Sequence, residues 1–185
     1  MTVSLDLDIR PGRSDDLPAL EWWGLFAPHR ALIRATFEAT ERGEAIMLVA
    51  DANGMAVGQA WVDLCRARSE DLGALWAIRV LPCLQGLGIG TALVRACEKE
   101  LRARSIGAAE VTVEQENGRA RQLYERLGYR CVGLSRAEHP PETACEIAAG
   151  RGRVTEQWRL IKSLVHEPPR PPSRPGRERF LQRNA

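Results

Sequence analysis

Lysine is almost missing from this chain: Lys99 and Lys162 stand alone among 26 basic residues, and the rest are arginine. Few ammonium groups are therefore at hand for Schiff-base chemistry or for gripping phosphate as point charges. An excess of one charge is also lacking, because 24 acidic residues nearly balance the bases at a formal net charge of +2. Nothing in the overall field calls for nucleic acid or another polyanion. The five cysteines (Cys65, Cys83, Cys97, Cys131 and Cys145) are odd in number and show no Cys-x-x-Cys spacing, which argues against a disulfide framework and a zinc cluster. His29, His139 and His166 have no spacing that suggests a metal site or a triad, and read as surface or loop residues. The longest apolar runs, such as Ala45 to Ala50, fall far short of the roughly 18 residues of a membrane span. The acidic, alternating start MTVSLDLD lacks the basic lead and continuous apolar stretch of a secretory signal. The expected location is a reducing cytoplasm.

What is present suits one domain: 185 residues, 44% hydrophobic and 27% charged, are enough for a core and too apolar for general disorder. The end of the chain differs. Glu167 to Ala185 holds five of the 11 prolines and five arginines with no apolar period, so a domain over residues 1–166 is expected to be followed by a solvated tail.

Within the domain the hydrophobic period switches repeatedly. Val3 to Ile9 alternates and stops at Arg10-Pro11-Gly12, an edge-strand pattern. A short helix is expected after Ser14-Asp15-Asp16, and a second between Pro28 and Gly43 with Leu32, Ile33 and Phe37 on one side. Ala45 to Asp51 and Met55 to Leu64 flank Asn53-Gly54, whose residues both tolerate positive φ, so a hairpin is expected. Gly73 to Leu81 forms a third strand, stopped by Pro82. Gly90 to Arg104 repeats Leu93, Cys97 and Leu101 at helical spacing, with Gly107 as its cap. Val111 and Val113 alternate in a strand; Asn117 opens a helix with Ala120, Leu123, Tyr124 and Leu127 inward, closed by Gly128. Tyr129 to Leu134 and Val154 to Leu164 are the last strands.

Between the third strand and the helix after Gly90 lies Gln85-Gly86-Leu87-Gly88-Ile89-Gly90-Thr91. Glycines at alternate positions let successive backbone N–H groups converge on an anion at the positive end of the following helix. A Walker loop needs a lysine after its last glycine, and a dinucleotide fingerprint needs its third glycine at position 91; neither is present. A purely structural strand-to-helix turn fits the loop equally well by itself.

The wider pattern is more specific. Ile78-Arg79-Val80-Leu81-Pro82, then Gln85-x-x-Gly88-x-Gly90, then Asn117-x-x-Ala120-x-x-x-Tyr124-x-x-x-Gly128-Tyr129 resemble the GNAT superfamily of N-acetyltransferases across residues 74–134. The resemblance implies an α/β (α+β) fold with a mixed, mostly antiparallel sheet of six or seven strands flanked by about four helices. It implies acetyl-CoA as co-substrate, no metal, and direct transfer of the acetyl group to a primary amine of a small molecule or peptide. The pantetheine arm would pair with backbone groups of Ile78 and Val80, the pyrophosphate would sit on the amides from Gln85 to Thr91 (through Gly86, Leu87, Gly88, Ile89 and Gly90), and Asn117 would mark the far wall. Tyr124 would protonate the departing thiolate, its alternative role being plain core packing.

The base is less well marked. Where ribosomal-protein acetyltransferases of the family carry a glutamate, this chain has Thr112; Glu114 on the same strand face is the substitute, with Asp63, Glu70 and Asp71 as further candidates. Cys83 reads as a small apolar filler, and Trp22, Trp23 and Phe26 as either an acceptor-stacking group or a cover for the sheet. A membrane or nucleic-acid partner is not expected, and a homodimer is compatible with the family. The alternative function is an acyl-CoA-binding or regulatory module of the same fold without catalysis, favoured by Thr112.

Overall fold

The computed structural model describes residues 6–139 and 153–165. Seven strands form one sheet in the order β1-β2-β3-β4-β5-β7-β6: β1 (Leu7–Pro11), β2 (Ala45–Ala52), β3 (Met55–Asp63), β4 (Leu72–Val80), β5 (Ala108–Glu114), β6 (Arg130–His139) and β7 (Arg153–Ser163). Every neighbouring pair is antiparallel except β4 and β5, which run parallel. The helices are α1 (Arg30–Glu41), the single turn α2 (Ala67–Glu70), α3 (Ile89–Ala103) and α4 (Gly118–Arg126). No described helix is long and apolar enough to cross a membrane.

Local chemistry explains most boundaries. Asn53 and Gly54 take φ of 52° and 84°, the conformation a tight two-residue hairpin demands between β2 and β3. Along α3, Ile89, Leu93, Val94, Cys97 and Leu101 are buried at helical spacing against the sheet, each large aliphatic side chain contributing about 1.5–3 kcal/mol. The same stripe includes Glu98, 3% exposed, which Lys162 of β7 neutralises at 2.8 Å from both carboxylate oxygens. Asn117 caps α4 by accepting from the Ala120 N–H at 3.1 Å, and Gly128 at φ 92° turns the chain out of it.

Four expectations need correction. The segment after Ser14 forms not a helix but separate 3-10 turns at Ser14–Asp16, Ala19–Glu21 and Ala27–His29, because Trp22, Trp23 and Gly24 at φ 42°, 55° and 91° break any helical run. Leu32 is 42% exposed, and Thr36 takes the inner place beside Ile33. Gly107 does not cap α3: Ser105 supplies the left-handed residue at φ 58°, and the Ile106 N–H returns to the Leu101 carbonyl at 3.0 Å. Position 107 favours glycine because its N–H donates to the Asp71 carboxylate at 2.8 Å, and a Cβ there would collide with that side chain. Cys83 is exposed rather than a packed filler. The start of the first strand at Val3, the tail from Glu167, Cys145 and His166 lie outside the described residues.

Candidate active site

Two strands that begin as neighbours separate at the centre of the sheet. Pairing between β4 and β5 runs from Leu72 with Ala108 to Leu75 with Val111 and then stops, although β4 continues to Val80 and β5 to Glu114. On the other edge of β4, a shift in the β3 register between Gln59 and Trp61 accompanies Ala77 at φ 49°. This bulge bends β4 away from β5, and the wedge between them opens into a cleft of about 320 Å³.

The cleft is lined by Ile78 and Val80 of β4, by Gln85, Gly86, Gly88, Gly90 and Thr91 of the loop, and by Asn117 and Tyr124 of the α4 segment. Most residues singled out in the sequence thus meet at one place. Gly86 and Gly88 adopt φ of 86° and 87°, which side chains with a Cβ resist. Gly88 is the first cap residue of α3 and carries no side-chain cap, so the opening N–H groups of a 15-residue helix point out of its positive end. The Gln85 amide ties the loop to the strand, donating from Nε2 to the Val80 carbonyl at 3.1 Å while its Oε1 accepts from Arg119 at 3.4 Å. Arg119 and Arg126, not anticipated from the sequence, also line the cleft; they lie two turns apart on one helix face, a spacing legible only once the helix is placed.

Leu87 and Ile89 do not line the cleft. Leu87 is 64% exposed and Ile89 is core, so any part Ile89 takes in binding is through its backbone amide. Tyr124 is 7% exposed and burial raises its phenol to about 12, the nearby Cys97 thiol adding to the shift. It therefore stays protonated at neutral pH.

The carboxylates divide by use. Asp71 and Glu70 lie at the end of β4 opposite the loop, the first bonded to the Gly107 N–H at 2.8 Å and the second paired with Arg66 at 3.4 Å. Asp63 accepts from the Cys65 N–H at 2.7 Å. Glu110, absent from the sequence-based candidates, shares a strand face with Thr112 and Glu114, but Arg66 and Arg159 hold its two oxygens at 2.5 Å each. Glu114 is exposed at the end of β5, outside the cleft lining, and its side chain makes no ion pair among the described residues. Trp22 is buried, donating to the Ala56 carbonyl at 3.0 Å, and covers the sheet. Trp23 is 83% exposed. Phe26 lies beneath the Arg79 guanidinium, 4.3 Å from ring centroid to Cζ.

Comparison with known proteins agrees with this geometry. A family model described as the acetyltransferase (GNAT) family matches residues 14–129. The mycothiol acetyltransferase of Beutenbergia cavernae is 36% identical over 84 residues, 45% of this chain and 27% of that protein. That of Propionibacterium freudenreichii subsp. shermanii is 27% identical over 106 residues, 57% of this chain and 34% of that protein. The chain thus spans between a quarter and about a third of the length of these curated relatives. Among solved structures, the ribosomal-protein-alanine N-acetyltransferase of Brucella melitensis superposes with a TM-score of 0.67 at 21% identity, covering 84% of this chain and 99% of that one. The yncA protein of Salmonella typhimurium, solved with its cofactor acetyl-CoA, gives 0.66 at 19% identity, covering 87% and 95%. At these identities the likeness is one of fold.

Proposed function

The chain belongs to the acetyltransferase (GNAT) family, and on that premise we propose that it transfers the acetyl group of acetyl-CoA directly to a primary amine of a small molecule or peptide. The observation that carries this reading is the wedge between β4 and β5 opening onto the glycine loop at the start of α3. Its parts fit the co-substrate: an apolar slot between strands for the pantetheine arm, a set of uncapped helix amides for the pyrophosphate, and two guanidinium groups, Arg119 and Arg126, at the same cleft. Acetyl-CoA supplies the thioester, whose C–S bond breaks as the amine nitrogen bonds to the acetyl carbon.

The residues of the chain would divide the work. Ile78 and Val80 present the backbone of β4 to the slot; the Val80 carbonyl already accepts from Gln85, so Gln85 sets the angle at which the loop leaves the strand. Tyr124, kept protonated by burial, holds a proton available to the departing thiolate. Glu114, exposed and in no ion pair among the described residues, would take the proton of the attacking ammonium through water, whereas Glu110 on the same face is held by two arginines. A cytoplasmic location accords with this chemistry.

A second reading, an acyl-CoA-binding module without catalysis, is favoured by Thr112 at the position of the family glutamate. Calorimetric titration with acetyl-CoA together with thiol release over a panel of amines tests both. Binding with amine-dependent thiol release supports the transferase, binding alone supports the module, and no binding removes both.

A further inference from the structure

Helix α4 carries three arginines, and they divide by partner. Arg121 is committed outside the cleft: it donates to Glu125 at 2.8 Å and lies over the Trp158 ring, 4.6 Å from its centroid. Arg119 and Arg126 line the cleft instead. Arg119 is fixed at the glycine loop, donating to Gln85 Oε1 at 3.4 Å, with Nη2 3.7 Å from the point a Cβ on Gly86 would occupy. Arg126 is exposed and makes no hydrogen bond or ion pair among the described residues. The acid beside it in the chain, Glu125, is already taken by Arg121.

The helix runs alongside the start of α3. Its first turn meets the loop at Gly86, and its middle meets α3 at Gly90, where a Cβ would lie 3.8 Å from Leu123. Arg126 stands one turn further on, about 10 Å along the helix from Arg119 by the rise of seven residues. Two cations so spaced do not close on one small anion unless both side chains turn toward each other, and the first is held at the loop. The cleft therefore offers two separate cationic positions.

Acetyl-CoA, the proposed donor, carries phosphate at two places. One is the diphosphate, whose phosphorus atoms share a single bridging oxygen and which the α3 amides and Arg119 suffice to receive. The other is the 3′-phosphate of the ribose, a separate monoester of about −1.5 to −2 charge at neutral pH. We propose that Arg126 receives this 3′-phosphate and makes the chain selective for CoA over dephospho-CoA, the same carrier without that group. Arg119 serves the diphosphate common to both. The proposal rests on the acetyl-CoA reading and adds to it a choice between carriers identical in thiol, pantetheine and diphosphate. Arginine suits the task because its planar fork of donors matches two phosphate oxygens at once.

Calorimetric titration of the full chain with CoA and with dephospho-CoA, at one fixed salt concentration and with thiols kept reduced, reads the selectivity without any acceptor. The wild-type chain should bind CoA more tightly by on the order of 10-fold. Arg126→Gln should bring that ratio close to unity and leave the affinity for dephospho-CoA unchanged. Arg119→Gln should weaken both carriers by a similar factor and keep the ratio. Arg95→Gln removes an exposed arginine of α3 that lies outside the cleft lining; it controls for the general field of the surface and should also keep the ratio. Equal wild-type affinities, an equal loss for both carriers in Arg126→Gln, or the same fall in ratio in Arg95→Gln overturns the assignment of Arg126 and leaves the acetyl-CoA reading standing. Failure of the folded wild-type chain to bind either carrier overturns both.

Discussion

Tyr124 stands edge to face against Tyr129, with ring centroids 5.7 Å apart and planes inclined at 67°. The Tyr129 N–H returns to the Tyr124 carbonyl at 3.0 Å, so one turn at the end of α4 fixes both rings. The phenol that lines the cleft is therefore held by its own helix terminus. Tyr124→Phe keeps the ring contact and removes only the hydroxyl. The expected result is a loss of roughly 10²-fold or more in kcat with little change in acetyl-CoA affinity. Single-turnover rates at saturating donor check it, because slow product release would hide a defect in the chemical step. A wild-type rate would leave Tyr124 as core.

The support beneath that pair is electrostatic. Lys162 Nζ lies 5.6 Å from the Tyr129 ring centroid and 2.8 Å from both oxygens of Glu98, whose side chain is 4% exposed. Arg102 reaches the same carboxylate at 3.3 Å but is half-exposed. Lys162→Met strands most of a buried negative charge, at an expected cost of about 3 kcal/mol in urea unfolding. The double variant Glu98→Leu with Lys162→Met should recover most of that loss, since it removes the charge with its partner. Equal stability of the single and double variants would show that Arg102 alone neutralises Glu98.

Legibility in the sequence follows how local each signal is. Asn53-Gly54 announces its hairpin because the turn needs two residues at positive φ and those types accept it. The α3 stripe and the capped start of α4 are likewise written in spacing. The bulge at Ala77 is not: alanine at φ 49° is imposed by pairing with β3, and no residue type marks it. Trp22 and Trp23 at positive φ are equally silent, and they turned an expected helix into separate turns. Gln59 gave no signal either, for a lone glutamine between apolar residues of a strand reads as surface until the strand is found covered on both faces. The cleft residues emerged through a family pattern, whereas Arg119 and Arg126 required the helix to be placed first.

Gly88 separates two effects of one side chain. Its φ of +87° makes any Cβ strained, while the space around that Cβ is open. Gly88→Ala and Gly88→Leu should therefore lose similar stability, about 1–2 kcal/mol from the left-handed backbone. Only leucine extends into the space before the α3 amides, so acetyl-CoA affinity should fall at least about 10-fold further in Gly88→Leu than in Gly88→Ala, which corresponds to about 1.4 kcal/mol. Calorimetric titration of both folded variants decides it; equal affinities would remove the loop from phosphate binding.

Acid should weaken the other end of the molecule. Arg10 of β1 donates to both oxygens of Asp16 at 2.7 and 2.8 Å and also to Asp51 at 2.7 Å, joining β1, β2 and the first 3-10 turn. The guanidinium beside it holds the Asp16 carboxyl below the usual carboxylate range, and the Arg13 N–H bond lowers it further against the opposing effect of burial. A carboxylate whose folded pKa is depressed adds stability above its unfolded value, near 3.9, and that contribution disappears as pH falls through the folded value. The urea midpoint should therefore hold between pH 7 and 5 as far as this group is concerned, and decline below about pH 4. Asp16→Asn cannot ionise and so should start from a lower midpoint at pH 7 and show a flatter acid limb. Parallel acid limbs in the two proteins would mean that the Arg10 contact does not couple folding to the Asp16 proton.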